Sequence, residues 1–484
     1  MKKIKYLTLG VAFMLGLGSC SLDTEVYDNK DGGNAYTTLK DIENGLNGAY
    51  YRVGSYYLLG NYATTIGDFC SGMSTGSASS GHMYSYSAFT ITSTDQEIED
   101  MWGVGYMTIV SATETINAAE ELIANGGILE SEVSSAYTYI GQLYAIKALV
   151  NYYLVNLYAL PYSETNKSQL GLIIIDKEVP EAFASVSRGT IEETYAQITK
   201  DIQSAEDAFA QGDEESTYTT GATAAYYMGP MGLQALKARV YMSLGQYAAA
   251  ETAAKEAIAL KGTGNGDATD NVPSTEVYTS MWGDVVATDE DLFTIKKSED
   301  DNLSANSINT LYGSYYATVQ NNVINKFGEN DIRAQLFMPS DGGGTTTSKF
   351  LGKSSEAVCN IPIFRKSEMS LIIAECEARN GNIAEAQNYL MFTAKRNLDI
   401  TSTEDLPATT DELLSFISEE RIREFVAEGH RFFDARRMGD LVSGDNFQNW
   451  DIQKFVFPIP EAEINTGTGC QQNEGWSNNL PNMQ

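Results

Sequence analysis

Apolar residues recur at helical spacing in two matching stretches of the chain. Within residues 233–260 an apolar stripe follows one helix face, stops at Gly245 and then resumes, and residues 367–396 repeat this plan with Gly381 at the break. Because glycine commonly ends a helix and the period on either side is helical, each stretch predicts a pair of packed helices. The first stripe comprises Leu233, Leu236, Val240 and Leu244 before the break, and Tyr247, Ala250, Ala254 and Ile258 after it.

Other stretches carry the same period, so the prediction extends over much of the chain. Residues 95–124 and 140–162 each predict one long helix, and residues 190–210 predict a shorter one. Thr190 and Glu193 have the spacing of a capping box at its start. A glycine turn followed by an alanine-rich helix resembles the tetratricopeptide unit, in which small residues let paired helices approach closely. We therefore predict a mainly α fold, built as a superhelix of tetratricopeptide-like hairpins.

Two long stretches interrupt the helical pattern. Residues 67–94, the first excursion, are rich in Ser, Gly and Thr with aromatic residues between them. Residues 262–362, the second excursion, contain Gly and Asp clusters and short β-prone pieces. Long segments without a repeating pattern commonly carry function. We interpret both as loop-rich excursions from one scaffold, and residues 20–484 as a single domain.

The first twenty residues have the features of a lipoprotein leader. Three lysines precede an apolar run over residues 6–17 that is too short to span a bilayer. Leu17 and two small residues then precede Cys20, which is the order of a bacterial lipoprotein cleavage site, where the cysteine is acylated. An ordinary signal peptide with an incidental cysteine is the alternative. We favour a signal peptide over residues 1–19 and lipidation at Cys20, so that lipid alone would anchor the protein.

The formal net charge of −32 narrows the range of partners. Nucleic acids and anionic membrane surfaces bind basic patches, so neither is an expected partner, and a neutral or cationic ligand fits better. His82 and His430 are the only histidines. Zinc clusters and histidine-based nucleophilic triads are therefore not expected. The acidic loops at 262–271 and 297–302 lack the ligand spacing of a calcium loop, so we predict no metal or cofactor. The sequence leaves open whether the four other cysteines, Cys70, Cys359, Cys376 and Cys470, form disulfides.

Residues 419–440, the arginine segment, contain five arginines among six acidic residues. Glu419 and Arg423 stand four apart, as a helical ion pair would. Arg421 and Glu424, and Arg431 and Asp434, stand three apart. A cluster so nearly neutral is poor at trapping an anion but suits bidentate bonds between helix ends and loops. We therefore predict a structural brace rather than an anion site, with the members Arg421, Arg423, Glu424, Glu428, Arg431 and Asp434.

Several motifs together resemble the SusD/RagB family of outer-membrane nutrient-binding lipoproteins. They are the leader, residues 41–54, 100–117 and 455–476, and the arginine segment with its Glu428, Gly429 and Arg431 core. The resemblance implies a cell-surface protein that captures glycans, or in some branches peptides. It also implies a partner, a TonB-dependent SusC-like transporter barrel, to which the ligand is handed without catalysis.

Sugar rings stack on aromatic planes, so an aromatic platform on exposed loops is the expected ligand site. The candidates in the two excursions are Tyr84, Tyr86, Trp282, Tyr312, Tyr315 and Tyr316. For each residue taken singly, packing within its own loop is the competing interpretation. Capture of a peptide is the alternative function. A surface glycosidase is a further one, although no motif singles out two of the 64 acidic residues as a catalytic pair.

Overall fold

The computed structural model describes residues 36–483 except for 182–183, 214–215, 217, 222 and 263–274. The predicted leader, Cys20 and nearly all of the acidic loop at 262–271 lie outside the described residues.

Within that part of the chain sixteen α-helices form. They are α1 (Leu39–Val53), α2 (Tyr62–Cys70), α3 (Tyr84–Ser87), α4 (Gln96–Ala124), α5 (Val133–Tyr158), α6 (Ile191–Phe209), α7 (Pro230–Ser243), α8 (Tyr247–Lys261), α9 (Thr275–Met281), α10 (Ile308–Tyr312), α11 (Asn321–Ile324), α12 (Lys366–Arg379), α13 (Ile383–Ala394), α14 (Thr410–Glu424), α15 (His430–Met438) and α16 (Glu461–Asn465).

The long helices pack in chain order, each against the next. Helix α4 packs on α5, α5 on α6, α6 on α7, and α7 on α8, after which α12 packs on α8 and on α13 and α14. Helix α5 lies between α1, α4 and α6, which is why it is buried on every side from Thr138 onwards. The prediction of a mainly helical scaffold of tetratricopeptide-like hairpins is confirmed.

The hairpin turns lie where the sequence places them. Gly245 and Gly381 both adopt a positive φ, of 68° and 80°, a conformation that glycine adopts without steric cost. Buried alanines line the contact between α7 and α8, and their small side chains let the two helices approach closely. At the start of α6, Thr190 Oγ1 accepts from the Glu193 amide while the Glu193 carboxylate accepts from the Thr190 amide. The predicted capping box is therefore present.

The excursions contain most of the short strands, which form five antiparallel pairs among the described residues. The first excursion starts later than predicted, because buried Phe69 and Cys70 extend α2 to residue 70. The pairs are β1 (Ser74–Thr75) with β5 (Thr318–Val319), β2 (Leu170–Ile173) with β3 (Arg188–Thr190), β4 (Asp291–Ile295) with β8 (Ile361–Arg365), β6 (Phe337–Pro339) with β7 (Thr345–Thr347), and β9 (Val442–Gly444) with β10 (Phe447–Trp450).

These pairs tie the excursions to each other and to the scaffold. Strand β8 directly precedes α12, and its pairing with β4 closes the second excursion against a scaffold helix. Strand β1 lies in the first excursion and β5 in the second, so this ladder joins the two. No described helix is long and apolar enough to cross a membrane. The described cysteines Cys70, Cys359, Cys376 and Cys470 are free thiols and buried.

The capping box gives a local test of the fold. Replacing Thr190 with Ala removes the side-chain acceptor from the first turn of α6, which should lower the free energy of unfolding by about 1 kcal/mol. Chemical denaturation measures it. Thr252 is exposed within α8, and in the part of the chain that the structure describes its hydroxyl bonds only the Ala248 carbonyl. Thr252→Ala is therefore the matched control and should be neutral or slightly stabilising. Equal losses in the two variants would contradict the capping role.

Candidate functional site

The arginine segment is mostly buried, but its ion pairs differ from those that the sequence spacing suggests. Arg421 donates from Nε to Asp434 at 2.7 Å instead of pairing with Glu424, and Arg431 pairs with Asp440 at 2.7 Å instead of with Asp434. Glu424 is unavailable to Arg421 because distant arginines engage both of its oxygens. Arg423 pairs with Glu420 at 2.8 Å and more loosely with Glu419 at 3.7 Å.

Glu424 is the centre of a buried ionic network. Its Oε1 accepts from Arg365 at 2.9 Å and from Arg396, and its Oε2 accepts from Arg333 at 3.3 Å. Burial alone would raise the pKa of this carboxyl, but the charges of Arg396, Arg365 and Arg333 outweigh it and lower the pKa to about 2. The group is therefore ionised across the physiological range.

Arg365 links this centre to further carboxylates. Its Nε and Nη2 each donate to Glu428 at 2.9 Å, and its Nη1 donates to Glu290 at 2.8 Å. Lys349 also donates to Glu428, at 2.8 Å. The ionic network is balanced, with five cations facing five carboxylates: Arg333, Lys349, Arg365, Arg396 and Arg423, with Glu290, Asp331, Glu420, Glu424 and Glu428.

Trp282 packs over this network, which makes its expected role as an exposed platform wrong. The side chain is only 2% exposed, and Lys349 Nζ lies 4.1 Å and Arg365 Cζ 4.9 Å from its ring centre. Phe350 packs edge-on against it at 5.6 Å. The second excursion folds back onto the arginine segment. The ring of Trp282 therefore makes cation–π contacts with buried cations instead of facing solvent.

Tyr86 and Tyr312 are also buried, against expectation. Tyr86 donates from its hydroxyl to Glu97 at 3.1 Å and packs edge-on against Phe457. Tyr312 stacks on Phe69, with its hydroxyl 2.8 Å from Ser74 Oγ. Each ring joins an excursion to the scaffold or to the other excursion, so neither offers a face to a ligand.

The other three predicted residues remain accessible: Tyr84 is the first residue of the short helix α3, and Tyr315 and Tyr316 lie on a neighbouring loop. Tyr84 is 42% exposed, and Tyr315 and Tyr316 are half-buried. His82, which the sequence did not single out as a ligand residue, stacks on Tyr315 with ring centres 3.7 Å apart and planes within 10°. We call Tyr84, Tyr315, Tyr316 and His82 the tyrosine surface.

Backbone contacts between the two excursions hold the tyrosine surface. Ser74 and Thr75 pair with Val319 and Thr318, and beyond that ladder Ser80 Oγ donates to the Tyr315 carbonyl at 2.8 Å. The chain at Gly342 lies so close that an added Cβ would be 2.7 Å from the Tyr316 Cβ. These contacts fix the loops that carry the rings.

Two residues of these loops have an unfavourable backbone conformation. Met83, directly before Tyr84, has a φ of 53°, and Tyr316 has a φ of 61°. Such positions cost on the order of 1–3 kcal/mol each and persist where the surrounding structure imposes them, commonly at binding sites. The surface can therefore present aromatic faces in a fixed arrangement, which is the chemistry of stacking on a planar ligand face.

Sequence reasoning missed most cations of the ionic network because they lie far from the arginine segment. The only local signal is a charge inside an apolar run, such as Arg365 after Ile361, Ile363 and Phe364. Among the described residues no group of three or more His, Cys, Asp and Glu side chains could hold a metal ion.

Two family models match separate parts of the chain. The model described as SusD family matches residues 294–451, and the model described as starch-binding associating with outer membrane matches residues 29–242. The chain belongs to the SusD/RagB family. The resemblance that the sequence motifs indicate is thereby confirmed, and the second range includes the helices from α1 to α6 and all but the last residue of α7.

Crystal structures of other members share the fold of this SusD/RagB protein. A SusD superfamily protein from Bacteroides vulgatus ATCC 8482 has a TM-score of 0.78 at 24% identity, covering 91% of this chain and 100% of its own. One from Bacteroides thetaiotaomicron VPI-5482 has a TM-score of 0.76 at 23% identity, covering 90% and 99%. A SusD-like carbohydrate binding protein from Bacteroides vulgatus ATCC 8482 has a TM-score of 0.73 at 16% identity, covering 89% and 97%. No curated protein sequence matches the chain.

The ionic network makes stability depend on Glu424 in a pH-dependent way. Glu424→Gln keeps the shape of the side chain but leaves buried arginines without a counter-charge, so the free energy of unfolding should fall by roughly 3–5 kcal/mol at pH 7. The pKa is depressed from 4.5 to about 2 on folding, so this contribution is complete above pH 4.5 and is lost as the pH falls towards 2. Denaturant titrations between pH 7 and 3.5 should therefore show the difference from wild type shrinking below pH 4.5.

Glu419→Gln is the matched control, since Glu419 lies on the same helix and its side chain is 49% exposed. That substitution should change the free energy of unfolding by less than about 0.5 kcal/mol. If Glu424→Gln were equally mild, Glu424 would not be the counter-charge on which the buried arginines depend.

The buried position of Trp282 predicts a loss of stability when the ring is removed. Trp282→Ala should lower the free energy of unfolding by about 3–5 kcal/mol, because a large ring is lost and two cations lose its face. Tyr51→Ala removes the ring of a tyrosine that is 75% exposed and should be nearly neutral. Thermal and denaturant unfolding compare the two variants, and an unchanged stability in Trp282→Ala would contradict the assignment.

Proposed function

We propose that the protein is a surface lipoprotein that captures an oligosaccharide or polysaccharide and delivers it to a TonB-dependent SusC-like transporter barrel, with no catalytic step. The lipid on Cys20 would hold it at the outer membrane, where the proposed barrel partner lies. The ligand would bind non-covalently, with sugar faces stacked on the tyrosine surface. Weak affinity suits this role, because a ligand that is held too tightly is not released to the next protein.

The tyrosine surface is the observation that carries the proposal. Its rings belong to two excursions that meet through a short ladder, and Met83 and Tyr316 have the left-handed, strained backbone that is common at binding sites. Family membership supports the role, as do the description of one family model as starch-binding associating with outer membrane and the carbohydrate-binding name of one fold neighbour. The acidic character of the chain, with a net charge of −32, also suits a neutral ligand.

Isothermal titration of the purified protein against polysaccharides and oligopeptides tests the proposal. At least one polysaccharide should bind, and Tyr84→Ala and Tyr316→Ala should each weaken binding by about tenfold, because stacking on an aromatic ring contributes roughly 0.5–1.5 kcal/mol beyond its buried area. Chromatography of each sample after incubation should show the ligand uncut.

Tyr51→Ala is the matched control, since Tyr51 is strongly exposed but lies outside both excursions. It should bind like wild type. Binding of peptides alone would favour peptide capture, and cleaved products would show an enzyme. Binding that depends on Tyr51 rather than on Tyr84 and Tyr316 would place the ligand elsewhere.

A further inference from the structure

A second concave surface lies where both excursions meet the arginine segment. It is a cleft of about 590 Å³, within the range of small-molecule sites. Residues 71–73 of the first excursion and Asn322 to Lys326 of the second form one side. One face of α14 and the chain from Met438 to Ser443 form the other. No residue of the tyrosine surface lines it.

One wall of the cleft carries a fixed group of donors and acceptors. Ser418 Oγ donates to Asp440 Oδ2 at 2.6 Å, and Arg431 Nη1 donates to the same oxygen at 2.7 Å and to Ser418 at 3.2 Å. Among the described residues, Nε and Nη2 of Arg431 and Oδ1 of Asp440 make no hydrogen bond. A planar guanidinium and a carboxylate oxygen thus stand side by side with bonding capacity left, held in place by Ser418.

Two residues of the cleft lining also carry a buried polar atom that has no partner within the described residues. Ser71 is only 3% exposed, and its hydroxyl makes no hydrogen bond. Asn322 donates from Nδ2 to the Ser443 carbonyl at 2.7 Å, but its buried Oδ1 accepts from nothing. An unsatisfied buried polar group costs roughly 1–3 kcal/mol, so a ligand hydroxyl that met these atoms would remove a standing penalty.

The charges of the cleft favour a neutral ligand. Each cation that lines it already lies within hydrogen-bond distance of a carboxylate: Arg431 of Asp440, Lys326 of Glu419, and Arg379 of Glu375. An added carboxylate or phosphate would face those acids, whereas a hydroxyl accepts from arginine and donates to aspartate together. Apolar side chains such as Val323 and Ile422 complete the lining and suit the C–H face of a sugar ring.

We propose that this cleft is a second binding site, which takes one neutral sugar unit through hydrogen bonds to Ser71, Asn322, Arg431 and Asp440. The cleft site needs no ring of the tyrosine surface, so each site can be tested independently of the other. They lie at opposite ends of the same ladder: residues 71–73 precede β1 and Asn322 follows β5, whereas Tyr84 follows β1 and Tyr316 precedes β5. The arrangement would let a single glycan chain engage both.

Saturation-transfer NMR and calorimetry on the purified protein test the cleft with monosaccharides as probes. Glucose, galactose, mannose and xylose represent neutral sugars, and glucuronate and galacturonate represent acidic ones. At least one neutral sugar should bind. Ser71→Ala should weaken that sugar's affinity by about tenfold through the loss of one hydrogen bond. Arg431→Lys keeps the charge beside Asp440 but loses the planar donors, and it should weaken affinity to a similar extent.

A stability measurement separates binding from packing. The Ser71 hydroxyl has no partner, so Ser71→Ala should leave the melting temperature unchanged or raise it while affinity falls, which a purely structural serine would not do. Thr294→Val is the matched control, because it also removes a buried hydroxyl without a partner, in β4 and outside the cleft lining. That variant should bind like wild type.

The remaining outcomes overturn the proposal. The proposal is wrong if none of the neutral sugars binds. It is also wrong if Ser71→Ala and Arg431→Lys bind the sugar with the same affinity as wild type. Binding of uronates alone would show that the cleft takes an acidic ligand. Tyr84→Ala and Tyr316→Ala should retain monosaccharide binding in the cleft. If they lose it while the cleft variants do not, the sugar binds at the tyrosine surface instead.

Discussion

The buried interaction of Glu424 with Arg333, Arg365 and Arg396 is the constraint on which the rest of the structure depends. Removing several charges from water costs several kcal/mol per ion, and only close pairing offsets that cost. The pairing is satisfied in one arrangement, which brings Arg333 of the second excursion and Arg365, at the end of β8 just after it, against α14. The network therefore contributes more to folding specificity than to the free energy of unfolding. It determines where a long, loop-rich excursion packs. It also shows what most charges of the arginine segment do: they pair with other charges inside the protein, while Glu419, Arg431 and Asp440 line a cleft.

The scaffold could be predicted from the sequence because its determinants are local. Gly245, Gly381 and the Thr190 capping box act within a few residues of their own position, and apolar periodicity shows which face of each helix is buried. The near-neutral charge balance of the arginine segment could be read from the sequence, since that is a property of composition. The identity of the segment's partners could not, because Arg365 and Glu428 are separated by 63 residues and no spacing rule relates them.

The six aromatic candidates show the same limit more sharply. Tyr84, Tyr315 and Tyr316 are accessible and Tyr86, Trp282 and Tyr312 are not, although all six lie in segments of similar composition. What separates them is tertiary: Trp282 covers buried cations, and Tyr312 is taken up by the junction of the two excursions. His82 was missed because a histidine in a Ser- and Gly-rich loop shows no sign of its stacking partner, which lies 233 residues away.

The tyrosine surface and the cleft lie at opposite ends of the β1 and β5 ladder. They differ in the contacts through which each would hold a sugar. The tyrosine surface offers ring faces, whose attraction is broad and tolerant of which hydroxyl points where. The cleft offers directed bonds from Arg431, Asp440 and Ser71, which distinguish hydroxyl positions because a mismatched one leaves a buried group unpaired. The β1 and β5 ladder lies between the two surfaces and holds the loops that flank it, which lowers the ordering entropy that opposes binding. A glycan that engaged both would gain affinity from the aromatic end and selectivity from the polar end, without either contact being tight enough to prevent release.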